Sequence, residues 1–190
     1  MLNLNILPQG FYLEDDVVLI SKKLLGKIIV TDIDNEVTLS RIVETEAYNG
    51  SIDKACHAYL HLNTPRTRVM FKDGGRSYVY LCYGLHHLFN IVTNGENNPN
   101  AVLIRAVEPI VGLEAMKLRR NKVKKQINWT NGPGKLASAL AISREYNDLK
   151  LYEAGSPIWI GEEEGGQEFE IIQTALITLA KSPPGTTVGG

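Results

Sequence analysis

Cysteine is scarce in this chain: Cys56 and Cys82 are the only two among 190 residues. A chain this long can bury a core without disulfide staples, so the scarcity fits a reduced, intracellular protein better than a secreted scaffold. No leader-like apolar segment opens the sequence and no apolar run reaches the length of a bilayer span. The expectation is therefore a soluble protein of the cytoplasm and nucleoid, or of a nucleus. An excess of one charge is absent too, the formal net charge being −1. Taken alone, that speaks against a nucleic-acid partner, but the charges are segregated. "KLRRNKVKK" at 117–125 holds six basic residues and no acid, whereas "GEEEGGQEFE" at 161–170 holds five acids and no base. Such segregation lets a nearly neutral chain present a basic face. Spaced metal motifs are missing as well. Cys56, His57, His61, Cys82, His86 and His87 supply ligand types, yet no C-x-x-C or H-E-x-x-H spacing joins them, so neither metal nor cofactor is expected.

The elements that are present alternate in kind, without an internal repeat. "LEDDVVLISKKLLG" reads as a short helix with acids in its first turn and Gly26 as its stop. "KIIVTDI" and "EVTLSRIVETEAY" flank Asp34-Asn35, a hairpin signal. "NTPRTRVMF" predicts a helix capped by Asn63 or Thr64 with Pro65 early in it. "RSYVYLCY" and "HHLFNIVT" form a second hairpin across Gly84-Leu85, and "AVLIRAVEP" reads as a largely apolar, central strand. Helical stretches follow at about 110–121 and 135–142. Strands, then helices, then more strand predict one compact α+β domain with a mostly antiparallel sheet flanked by helices.

Two stretches carry the chemistry. In "RIVETEAY", strand alternation puts Glu44, Glu46 and Tyr48 on one face with Ile42, and Val43, Thr45 and Ala47 on the other. Two carboxylates on one face are either solvated or a lining. In "SYVYLCY", Tyr78 and Tyr80 share a face, while Tyr83 sits beside the turn with no core to cover it. An aromatic there is either half-buried ornament or a wedge for the minor groove of DNA. The nearby Arg66, Arg68, Lys72 and Arg76 suit the wedge better.

"RIVETEAY", His57, "TPRTRVMF", "YVYLCYG" with Asn90 seven residues after Tyr83, "AVLIRAVEP" and "NGPGKLASALAI" occur in that order over about residues 10–145. As a set they resemble the alkyladenine (3-methyladenine) DNA glycosylase family. The resemblance implies a base-excision repair enzyme that flips an alkylated purine out of duplex DNA and hydrolyses its N-glycosidic bond, as a monomer and without lyase activity. It makes the hairpin a DNA-inserting one, with Tyr83 as the intercalating side chain, and Leu85 and His86 beside it. Tyr48, His57 and Tyr80 match the stacking residues that clamp the base, and cation–π attraction would favour a cationic alkylpurine there. Asn90 matches the residue that crowds guanine's exocyclic amine. Glu46 matches the glutamate that activates water, and Arg105 the arginine that helps to hold that water. Arg66, Arg68 and Lys135 are candidates for phosphate contacts, with the glycines of "GPGK" letting amides approach. Glu44 takes no role beyond that of a surface or structural acid.

The end of the chain departs from that family. Leu176-Ile177-Thr178 occupies a slot where the family has an arginine, a branched aliphatic residue and a glycine, and where a backbone carbonyl, here that of Ile177, helps to place the water. "SPPGTTVGG" replaces a final tryptophan-rich strand. The expectation is a glycosylase-like domain over 1–180 and a flexible tail over 181–190. Two other classes stay open: a damaged-DNA-binding protein impaired in catalysis by this C-terminus, and a hydrolase of free nucleosides, which would have no use for a wedge.

Overall fold

A computed structural model describes residues 3–165, 170–173 and 177–181. Its frame is an antiparallel sheet whose strands, in chain order, are β1 (Leu4–Ile6), β2 (Ile28–Ile33), β3 (Glu36–Asn49), β4 (Ser77–Cys82), β5 (His86–Thr93), β6 (Asn100–Val111) and β7 (Ile158–Glu163). They lie side by side as β1-β7-β2-β3-β6-β5-β4. A further hairpin of β8 (Glu170–Gln173) and β9 (Ile177–Lys181) joins through β9 to β3. The long strand β3 thus has β6 along one edge, and β2 followed by β9 along the other. The α-helices among the described residues are α1 (Val17–Leu24), α2 (Leu113–Arg119) and α3 (Pro133–Ala139). This is the expected α+β domain with a mostly antiparallel sheet.

Local chemistry explains most boundaries. Asp34 and Asn35 both take positive φ, 59° and 60°, directly between the paired Ile33 and Glu36. That is the mirror-image turn whose twist matches a tight hairpin. The acids ahead of α1 act one step earlier than expected: Asp16 is the N-cap, its carboxylate accepting from the amides of Val18 and Leu19, and the first turn itself holds no acid. Gly26 ends the helix as expected, at φ 81°. "NTPRTRVMF" gives a turn and a 3-10 helix over Arg68–Phe71 rather than an α-helix. Thr64 and Thr67 bond to each other's backbone and hydroxyl groups, satisfying the polar groups that a longer helix would have used. The stretch at 110–121 helices only from Leu113, because β6 runs to Val111 and Gly112 breaks the geometry at φ 83°.

The basic run is more tied down than a solvated charge cluster. Arg119 donates to the carbonyls of Ala139 and Ile33, at 3.2 and 3.4 Å, and so covers the end of α3.

The main core lies between the sheet and the helices, around Phe89, Ile91, Val102, Ile104, Met116 and Leu136. A smaller cluster includes Ala58, Val69, Met70, Tyr78 and Ala101, with Tyr48 and Tyr80 packed against it. Alternation along β4, β5 and β6 separates the two: Val79, Ile91 and Val102 serve the main core, while Tyr78, Val92 and Ala101 serve the smaller one.

Candidate active site

Cross-strand pairing assembles residues that are far apart in sequence. Tyr78 on β4 lies opposite Asn90 on β5, Asn90 opposite Leu103 on β6, Leu103 opposite Glu46 on β3, and Glu46 opposite Ile177 on β9. Directly opposed residues share a sheet face. One row across five strands therefore carries Tyr78, Asn90 and Glu46, with the backbone of Ile177 at its end. Tyr48 pairs with Ala101 two positions further along.

The face assignment inferred from simple alternation needs one correction. Pairing between β3 and β6 is irregular on both sides of Glu44, where Val43 and Arg105 have no opposite partner. As a result Ile42 does not share the carboxylates' face and belongs to the main core. Thr45 keeps the far face, where its hydroxyl bonds to Ser21 of α1. Glu44 and Glu46 both reach Arg105: Nε donates to Glu44 Oε1 at 3.1 Å and Nη1 to Glu46 Oε2 at 2.5 Å. Glu46 is 7% exposed. Burial works against the Arg105 charge, but the bonds to Glu44 and Glu46 outweigh it and raise its pKa. Glu44 is thus an ion-pair partner rather than a free surface acid.

Beside this cluster lies a small, partly open cleft lined by Tyr48, His57, Tyr80 and Asn90 with Met70 and Ala101. All four residues expected in a base pocket line it. The rings of His57 and Tyr80 meet edge to face with centroids 4.6 Å apart, and Tyr78 lies 5.3 Å from Tyr80. They form one continuous aromatic wall. The Arg66 guanidinium sits 4.6 Å over the Tyr80 ring, so Arg66 belongs to the rim of the cleft.

The contacts of His57 favour one tautomer of its neutral ring. Arg66 can only donate, and its Nη2 lies 3.4 Å from His57 Nε2, so Nε2 accepts. Nδ1 then carries the proton and donates to the Tyr78 hydroxyl at 2.9 Å. Burial, and then the Arg66 charge, push the His57 pKa below its ordinary value. Tyr80 is pushed up to about 12, by burial first and then by Tyr78. Tyr48 moves in the same direction, through burial and then the charge of Glu46. The cleft therefore offers neutral aromatic faces beside a carboxylate.

Asn90 is 3% exposed, and its Nδ2 donates to the Tyr78 carbonyl at 3.1 Å. Sequence reasoning missed Tyr78, which orients His57; its alternation with Tyr80 was the available signal. The thiol of Cys56 is buried and its pKa raised by that burial, which makes it unreactive.

The tip of the hairpin between β4 and β5 is exposed to solvent. Tyr83 is 95% exposed and Leu85 76% exposed, and His86 is exposed beside them. Tyr83 holds a left-handed backbone at φ 49°, followed by Gly84 at 70°, while the Leu85 amide bonds back to the Cys82 carbonyl at 3.0 Å. Arg68 and Lys135 are exposed, and Lys135 Nζ donates to Asn131 Oδ1 at 2.9 Å.

The chain belongs to the methylpurine-DNA glycosylase family, whose model matches residues 11–184. A relative from Natranaerobius thermophilus, named "Putative 3-methyladenine DNA glycosylase", is 44% identical over 88% of this chain and 85% of its own. Relatives of the same name from Chlamydia abortus and Bdellovibrio bacteriovorus are 49% and 42% identical, covering 77% and 93% of this chain and 77% and 85% of theirs. Membership makes this a DNA-repair hydrolase acting on damaged DNA, and so a protein that works where DNA is kept. No helix among the described residues is long and apolar enough to cross a membrane. Of the tail expected over 181–190, Lys181 is the last residue of β9 and residues 182–190 lie outside the described residues.

Proposed function

We propose that this chain is a monofunctional 3-methyladenine-type DNA glycosylase that takes an alkylated purine out of the duplex and hydrolyses its bond to the sugar. The observation that carries the reading is the cross-sheet row, which sets Glu46, gripped by Arg105, beside the cleft lined by Tyr48, His57 and Tyr80. Tyr83 enters the stack from the minor groove and fills the space left by the extruded nucleotide. Unstacking costs a few kcal/mol; phosphate contacts from Arg68 and Lys135, and from Arg66 at the rim, offset it. The purine lies against the aromatic wall. Arg66 occupies one face of Tyr80, leaving the other for the base, while Asn90 limits what fits at the purine edge.

Glu46 takes a proton from a water that Arg105 and the Ile177 carbonyl help to place. The water oxygen bonds to C1′ as the C1′–N bond breaks, and the bonding electrons leave with the purine. A purine alkylated at N3 or N7 departs neutral and needs no acid, whereas hypoxanthine must first be protonated. The Glu46 carboxylate also stabilises the positive charge that develops on the sugar. Water is the nucleophile, so no lysine is required and the product is an abasic site with its strand intact. The protein acts as a monomer on double-stranded DNA, with neither metal nor cofactor.

The test is single-turnover release of one alkylated adenine from a duplex, by the parent chain and by Glu46→Gln. The parent is expected to release the base, and the variant to be slower by about 10²–10⁴-fold. Equal rates would remove Glu46 from the mechanism. Lesion binding without release, abolished by Tyr83→Ala, would instead mean a protein that recognises damage and does not cut.

A further inference from the structure

The glycosylase reading uses Glu46 and Arg105 but gives Glu44 no task. The geometry around Glu44 is nevertheless the most distorted part of the central ladder. Val43 on β3 and Arg105 on β6 are each skipped, Glu44 pairs with Ala106 between the two skips, and regular pairing then resumes from Thr45–Ile104 to Asn49–Asn100. The two irregularities cancel, so they leave the register of the rest of the sheet unchanged. Their effect is local: Arg105 is brought within reach of both carboxylates at once. Bulges re-aim side chains in this way at the cost of ladder hydrogen bonds.

A guanidinium is planar, with donors in a fixed fork, so a single bond to Glu46 would leave it free to swing about that contact. The second bond, from Nε to Glu44, fixes its plane. The side chains of Glu44 and Arg105 are only 26% and 30% exposed, so this is not a freely solvated pair.

We infer that Glu44 is a positioning residue for base excision: it fixes the plane of the Arg105 guanidinium through Nε. This rests on the glycosylase reading of the site. Glu44 touches neither base nor water and acts through Arg105.

The experiment compares the parent, Glu44→Gln, Arg105→Ala and the double variant. It measures single-turnover release from an alkylated-adenine duplex, together with Kd for that duplex and thermal melting. Glu44→Gln should release base on the order of 10- to 100-fold more slowly, the scale of a misplaced catalytic group, with Kd and melting temperature unchanged. Adding Glu44→Gln to Arg105→Ala should cause no further slowing. Glu44→Gln working at the parent rate would overturn the inference. So would a loss of rate that tracks weakened lesion binding or a lowered melting temperature, since that marks a structural residue. Losses that multiply in the double variant would show that Glu44 does not act through Arg105. A parent chain that releases no base would remove the glycosylase reading itself, and this role with it.

Discussion

The neutral imidazole of His57 couples the cleft to pH. Its pKa is lowered by burial and then by Arg66, so between that value and the ordinary 6.5 the unfolded chain binds more protons than the folded one. Its contribution to stability is complete above 6.5 and is lost as pH falls through the lowered folded value. Denaturant midpoints should fall from pH 7.5 to pH 5.5, and His57→Gln should flatten that slope. Protonation would also set an imidazolium beside a cationic base, so release of a cationic lesion should drop over the same interval, with neutral hypoxanthine less affected. A lesion-independent profile would remove His57 from base recognition.

At the scale of elements, the end of β3 and the β4–β5 hairpin make opposite demands. Gly50 closes β3 just after Tyr48 and Asn49, and its amide is held by Asn100 Oδ1 at 2.9 Å. A Cβ there would stand 2.0 Å from the Pro99 carbonyl oxygen, a backbone atom. Gly50→Ala should therefore cost about 1–3 kcal/mol, read as a melting temperature lowered by roughly 2–4 °C per kcal/mol. The hairpin tip differs, being almost fully exposed. Tyr83 packs on nothing and holds a backbone that costs roughly 1–2 kcal/mol for a residue with a Cβ. Tyr83→Ala should leave melting unchanged and weaken lesion-duplex binding by about 1–3 kcal/mol, or roughly 5- to 150-fold in Kd. A fall in melting temperature with unchanged Kd would make it an ornament after all. Both turns were legible in the sequence because Asp34-Asn35 and the residues around Gly84 act locally. The helix expected in "NTPRTRVMF" was not, because Thr64 and Thr67 bonded to each other instead.

Across the whole molecule, net charge says little and placement says much. If Arg66, Arg68 and Lys135 meet phosphates, each alanine variant should reduce the slope of log Kd against log salt by about 0.9, equally for damaged and undamaged duplex. Arg66→Ala should also reduce lesion selectivity, because that side chain braces Tyr80 and His57. Unchanged slopes would move the DNA path elsewhere. The sequence by itself determined the domain class, both hairpins, and the alternation that puts Glu44 and Glu46 on one face. These follow from torsional preferences and side-chain periodicity within a few residues. Only the tertiary structure decided that Tyr78, Asn90 and Glu46 stand in one row with Ile177 at its end, that Ile42 turns into the core, and that Arg105 grips both glutamates. Those outcomes depend on strand register and paired bulges, which are set by hydrogen bonds between segments up to 131 positions apart, as between Glu46 and Ile177, and no local pattern encodes them.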